Sequence, residues 1–195
     1  MKVIIPEKVY SKPIEDLLVF CDCEHAIYRF TLQTDEQENK RKRTKRAMVF
    51  TMVEVYTQSL DDMNQGVVDD TPGIDISLAD MDRILEFLKK DFGREINDFV
   101  EVTMDCLSEN GRFGSGLRIY RNPVIDSEER LSFRFFPWVK GADDESIETE
   151  KEYCDIIVEE PQKTEFIKEF ELMCERAHEI VEQYKELGWE VVNSW

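Results

Sequence analysis

The sequence predicts an α+β fold: a mainly antiparallel sheet of about five to six strands packed against two or three helices, with a charged β-hairpin projecting from the body. Three observations lead there. Segments of period two, rich in β-branched and aromatic residues, recur at 26–33, 47–58, 98–107, 116–123, 130–139 and 153–160. Two segments carry a helical period instead, 77–92 and a long one from Pro161 to Gly188. Between the first two strands, "TDEQENKRKRTKRAMVF" (34–50) places six cations in seven positions of a chain whose net charge is −18.

At 195 residues the chain suits one domain, 1–195, with no internal repeat and no dividing linker. Its 42% hydrophobic and 11% aromatic content excludes general disorder despite the charge. "MKVIIPEKVY" has three apolar residues before Pro6, too few for a secretory signal, and no run approaches the ~20 apolar residues of a membrane span. A cytoplasmic location and no membrane partner are expected. Five cysteines without regular spacing argue for reduced thiols rather than a disulfide framework.

Taken in order, "SKPIEDLLVFCDCE" (11–24) opens with Ser11 as an N-cap, Pro13 in a first turn, and Glu15 and Asp16 at a positive helix end. Ile14, Leu17, Leu18 and Cys21 fit a helical stripe. "LLVFC" also suits a buried strand; helix is the preferred reading. From Ala26, the apolar residues Tyr28, Phe30 and Leu32 alternate with a wetter face, and "AMVFTMVEVYTQ" (47–58) returns as a long strand. A hairpin tip at Asn39 and Lys40 would set Glu38 against Arg41, Glu36 against Arg43, Phe30 against Val49, Leu32 against Ala47 and His25 against Glu54.

Residues 59–76 read as a polar loop, and "SLADMDRILEFLKKDFG" as a helix capped by Ser77 with Asp80 three residues on. Its stripe is Leu78, Met81, Ile84, Leu85 and Leu88, and Gly93 stops it. Three strands follow; Pro137 marks the end of the third as an edge or bulge. "ENGRFGSG" (109–116) reads as a turn, because it lacks the Lys-Ser/Thr ending of a phosphate-binding loop. "GADDESIETE" (141–150) reads as an acidic loop. In the last helix, Phe166, Phe170, Met173, Ala177, Ile180, Tyr184 and Leu187 recur at spacings of three and four, flanked by Ile167, Cys174 and Val181. That seam is wide enough to cover a sheet and too wide for a strict coiled coil, so a homodimer through it ranks second.

The basic run is the first candidate site: Lys40, Arg41, Lys42, Arg43, Lys45 and Arg46. Cross-strand acids account for part of it, but Lys40, Lys42, Lys45 and Arg46 have no obvious partner in that register, and residues 35–46 keep a net +3. Such a ribbon suits phosphates, acidic protein or, as a short KRKR motif, nuclear import. Without those six cations the rest of the chain carries −24, a field that repels nucleic acid and draws in basic partners.

The second candidate is an aromatic and arginine face. Arg118 and Tyr120 share one face of their strand, and Arg134 and Phe136 share one of theirs. If the two faces coincide, the set could stack bases of a single strand, but the preferred reading is an ordinary sheet surface covered by a helix, with the Arg side chains snorkelling past the aromatics.

The third is a metal site. Both histidines stand four residues after a cysteine, Cys21 with His25 and Cys174 with His178, and two such pairs on helices could hold zinc. In an extended chain Cys21 and His25 would stand ~13 Å apart, and neither segment has a CxxC knuckle, so no cofactor is the leading expectation. Carboxylate pairs such as Glu101 with Asp105 are expected by chance among 43 acids.

The leading functional expectation is a non-enzymatic acidic binding protein, an inhibitor or immunity-type factor docking on the basic surface of a nucleic-acid-handling protein. The first alternative is a nucleic-acid-binding accessory protein using the basic hairpin. The second is an enzyme or small-ligand binder with a dispersed site. No motif in the chain points to a named family.

Overall fold

A computed structural model describes residues 12–20, 26–39, 44–57, 69–70, 74–90, 98–108, 111–122, 130–140, 146–148 and 154–193. Its strands form two sheets rather than one. The first is built on three antiparallel strands, β1 (Lys12–Phe20), β2 (Ala26–Asn39) and β3 (Thr44–Thr57). Along the other edge of β3 lie three short strands: β11 (Glu190–Val191) beside Arg46 and Ala47, β5 (Ile74–Ser77) beside Phe50–Val53, and β4 (Asp69–Asp70) beside Tyr56 and Thr57. They cover stretches of an edge that would otherwise offer unpaired backbone groups.

The second sheet runs β10 (Cys154–Val158), β8 (Arg130–Lys140), β7 (Gly111–Asn122), β6 (Asp98–Ser108), all antiparallel, with β9 (Ser146–Glu148) also on β8. The helices among the described residues are α1 (Leu78–Lys89) and α2 (Gln162–Glu186).

Residues 12–20 form an edge strand, correcting the preference for a helix. The i, i+3, i+4 spacing there was real, but eight aligned pairs with β2 outweigh it, and an edge strand tolerates the missing N–H of Pro13, next to which the register shifts. The β2–β3 pairing also differs from expectation. Phe30 stands opposite Val53, Leu32 opposite Thr51, Glu36 opposite Ala47 and Glu38 opposite Lys45, a slip of four residues. An even slip keeps every side chain on its face, so Tyr28, Phe30, Leu32, Ala47, Val49 and Val53 are all buried as the alternation required. Arg29, not His25, faces Glu54. The tip, 40–43, lies outside the described residues, as do 21–25 with Cys21 and His25.

The segment read as a Gly-rich turn belongs to β7 from Gly111 onward; Gly114 pairs with Asp105 and Gly116 with Thr103. Residues 146–148, within the expected acidic loop, form β9. β8 is central along most of its length, and its pairing is interrupted on one side at Pro137. Pro137 stands opposite Ser115 of β7 on one side; on the other it falls between the part of β8 that pairs with β10 (Leu131–Phe135) and the part that pairs with β9 (Trp138–Lys140), where no described strand pairs with it.

Ser77 caps α1 as expected, its hydroxyl accepting from the Asp80 amide at 3.2 Å. The other end is closed from the second sheet. Arg121 of β7, 9% exposed, donates through Nη1 to the carbonyls of Lys90 (2.6 Å), Leu88 (3.3 Å) and Phe87 (3.4 Å), answering the orphan acceptors of the last turn.

All the expected seam residues of α2 are buried except Leu187, which is 61% exposed because it lies past the helix end. There Gly188 takes φ +76°, Trp189 N–H bonds Tyr184 O (3.0 Å) and Gly188 N–H bonds Lys185 O (2.9 Å). This reversal, sealed by the Trp189 ring against Tyr184, turns the chain back into β11.

The two sheets and two helices enclose one continuous core. At its centre Phe133 of β8 meets Phe30 of β2 (ring centroids 6.2 Å) and Phe166 of α2 (5.0 Å, edge to face). Tyr28, fully buried, joins the sheets by a polar contact: its hydroxyl accepts from Phe135 N–H at 2.9 Å and lies 3.4 Å from Phe133 O.

Candidate nucleic-acid interface

Alternation along β6, β7, β8 and β10 sends one set of side chains into the core and the other set out. Val100, Val102, Leu117, Ile119, Leu131, Phe133, Phe135 and Val158 are the buried set. The register places the outward residues in rows across the sheet. Glu101, Arg118 and Arg134 make one row, and Phe99, Tyr120, Ser132 and Ile157 the next. The faces of β7 and β8 therefore coincide, the condition on which the aromatic and arginine candidate rested.

The preferred expectation for this face, cover by a helix, is corrected by the exposures: Phe99 is 47% and Ile157 50% exposed. The rings of Phe99 and Tyr120 sit 5.5 Å apart, tilted by 47°. The Arg118 guanidinium lies 5.7 Å over Phe99, and that of Arg134 lies 5.9 Å over Tyr120. Arg118 and Arg134 are direct cross-strand neighbours, a like-charge pairing that costs stability unless something offsets it. Glu101 offsets part of it, accepting from Arg118 Nε. Phe136 stands opposite Gly116 in the adjoining row.

Of the basic run, Lys45 and Arg46 lie within the described residues, at the start of β3, and each has partners the expected register did not supply. Lys45 Nζ pairs with Glu38 (2.8 Å) and lies 5.1 Å over the Trp189 ring; Arg46 Nε donates to Glu190 (2.9 Å). Nearby, the buried Tyr184 donates to Glu36 at 2.8 Å, and burial pushes its phenol pKa up. Lys40, Arg41, Lys42 and Arg43 lie outside the described residues. Lys45 and Arg46 stand on the first sheet and the aromatic face on the second.

The metal candidate loses the half that can be seen. Cys174 and His178 share a helix but diverge: Cys174 is buried against Met81, whereas exposed His178 pairs with Asp82 of α1 at 2.8 Å. Burial, with Asp82 and Glu171 adding repulsion, pushes the Cys174 thiol up to about 12, opposite to what a metal ligand or nucleophile needs. Among the described residues no three His, Cys, Asp or Glu side chains gather as a ligand cluster, and no helix is long and apolar enough to cross a membrane.

The chain matches no protein-family model, and no curated protein matches it. Solved structures do. The fold is similar to that of WHY3 from Arabidopsis thaliana. That crystal structure superposes with a TM-score of 0.53 over 91% of this chain and 98% of its own, at 9% identity. The plant transcriptional regulator PBF-2 gives 0.49 over 90% of each chain at 10% identity, and WHY1 from Arabidopsis thaliana 0.48 over 94% of this chain and 95% of its own at 10% identity. At the identity of WHY3 the likeness is one of fold, and it extends over almost the whole of both chains.

Sequence reasoning found Arg118, Tyr120 and Arg134 but missed Phe99 and treated Glu101 as a chance carboxylate. A signal existed: in "DFVEV" the odd-numbered Phe99 and Glu101 alternate with valines, which puts them on the outward face. What was lacking was the knowledge that β6 lies beside β7.

Proposed function

We propose that this protein binds single-stranded nucleic acid, with bases stacking on Phe99 and Tyr120, Arg118 at the edge of a stacked base and Arg134 meeting the backbone. The basic run at 40–46 serves as a second, sequence-independent phosphate contact. One observation carries this reading: two half-exposed or partly exposed rings and two guanidiniums interleave on an open sheet face. Unpaired bases have a free π-face and every base stacks, at ~1–3 kcal/mol per base. A duplex hides those faces.

The expectation of an acidic inhibitor rested on net charge, a property shared by the whole surface. The sheet face is a specific arrangement, and it favours the nucleic-acid alternative. A net charge of −18 does not forbid this, because stacking is short-ranged while repulsion between exposed charges fades beyond ~10 Å at moderate salt.

The test is fluorescence anisotropy of labelled single-stranded DNA, RNA and duplex DNA at two salt concentrations. It compares the natural chain with Phe99→Ala/Tyr120→Ala and with a variant carrying Ser at Lys40, Arg41, Lys42, Arg43, Lys45 and Arg46. Single strands should bind and duplex should not, with the aromatic variant losing most of the affinity. No single-strand binding at the lower salt, or binding indifferent to the aromatic pair, overturns the proposal.

A further inference from the structure

From the aromatic face we infer that the ligand base read beside Phe99 is guanine, selected by the Glu101–Arg118 pair; the inference rests on the single-strand reading above. A carboxylate is an odd neighbour for a polyanion. As a cross-strand partner of Arg118 it has a structural use, worth ~0–1 kcal/mol for an exposed pair. That use does not explain its place beside an exposed ring, in a pair whose side chains keep only 30% (Glu101) and 20% (Arg118) of their exposure. A group that accepts hydrogen bonds and never donates them earns that position if the ligand brings donors.

The order of groups identifies which donors. Arg118 donates through Nε to Glu101 Oε2, so the pair carries, side by side, guanidinium N–H donors and two carboxylate acceptors. Donor, acceptor, acceptor is also the order along the pairing edge of cytosine. Its complement is acceptor, donor, donor: O6, N1–H and the 2-amino group of guanine. Uracil and thymine flank their single N–H with two carbonyl oxygens, one of which would face the carboxylate. Adenine offers one donor and one acceptor, and cytosine repeats the pair's own order.

Stacking and edge recognition use the same place. The Arg118 guanidinium is 5.7 Å from the Phe99 ring centroid, so a base resting on Phe99 has its edge close to both charged groups. Contacts that Arg118 makes now are exchanged for O6 when the base arrives.

The test places one dG, deoxyinosine, dC or dA in an oligo-dT strand and measures each affinity with the natural chain, Phe99→Ala and Glu101→Gln. One dG should raise affinity about tenfold over dT alone, as a good charged base contact does. Deoxyinosine, which lacks only the 2-amino group, should lose most of that gain. This arm changes the ligand and leaves the protein intact, so it holds even if Glu101→Gln folds poorly. Glu101→Gln should level dG with dT. Equal affinities for all strands in the natural chain, with Phe99→Ala still weakening each, would overturn guanine selection and leave the single-strand reading standing. Failure of every strand to bind would remove both.

Discussion

Arg46 donates from Nε to Oε2 of Glu190 across 2.9 Å and 144 positions of sequence. Beside it, Lys45 lies over Trp189, so the tail that follows α2 meets the basic run where β3 begins. Part of the positive charge that stood out in the sequence is thus matched by the chain's own C-terminal segment. Each contact is half exposed and individually weak; the ring packing beneath them is not. Glu190→Gln should shift stability by less than ~1 kcal/mol. Trp189→Ala, which also removes the ring contact that seals α2, should cost ~2 kcal/mol, part of the penalty for a fully buried ring. Urea midpoints of the two variants would show the difference, and equal midpoints would mean that the tail is held by charge alone.

The Tyr28 hydroxyl is a polar tie between the sheets. Tyr28→Phe keeps the ring but leaves the Phe135 amide without its acceptor in a buried position, at a cost of ~1–3 kcal/mol. Chemical denaturation of this one variant is enough to check it. A neutral substitution would show that the amide finds another acceptor.

Alkaline pH should act on the core through Cys174. The thiol's ordinary value is 9.0 and the folded value about 12, so below pH 9 both states hold the proton and nothing is lost. Above it the unfolded chain releases a proton that the folded chain keeps, and stability falls by ~1.4 kcal/mol per pH unit until the folded value is reached. Tyr184, also raised by burial, adds a fall in the same direction at higher pH. The natural chain should be more stable than Cys174→Ala at pH 7, with the gap closing from pH 9 upward. A gap independent of pH would place the thiol in contact with water.

Phe99 separates binding from stability. Because its ring is 47% exposed, Phe99→Ala should change the urea midpoint little while weakening single-strand binding by ~1–3 kcal/mol. Large loss of stability together with binding would make the ring a packing element.

Salt dependence separates the two cationic surfaces. If Arg134 alone neutralises a phosphate, the slope of log affinity against log salt should be about −0.7, the single-strand value for one contact. The natural chain should be steeper than this, and the six-Ser variant should fall to it. Equal slopes in both proteins would remove the basic run from the interface.

Much of the local structure was legible because it depends on local spacing. The three-and-four repeat from Phe166 to Tyr184 marked the buried side of α2, and Ser77 with Asp80 marked the start of α1. Alternation assigned the inward face of β2. It could not reveal the slip of four residues between β2 and β3, because an even slip leaves every face unchanged; turn length sets that register, and the turn carried no decisive residue.

Residues 12–20 show the same limit from the other side. Their spacing allowed a helix, and pairing with β2 decided for a strand.

By itself, the sequence determined the α+β class, the inward face of β2, the buried sides of α1 and α2, and a concentration of positive charge in an acidic chain, since each follows from periods and charges within a few neighbouring positions. The tertiary structure decided that the strands form two sheets, that Glu190 and Trp189 meet the basic run, and that Phe99 and Glu101 join Arg118, Tyr120 and Arg134 on an open face. Those relationships depend on which strand lies beside which, a choice made by burial of the whole core and therefore absent from any single stretch of chain.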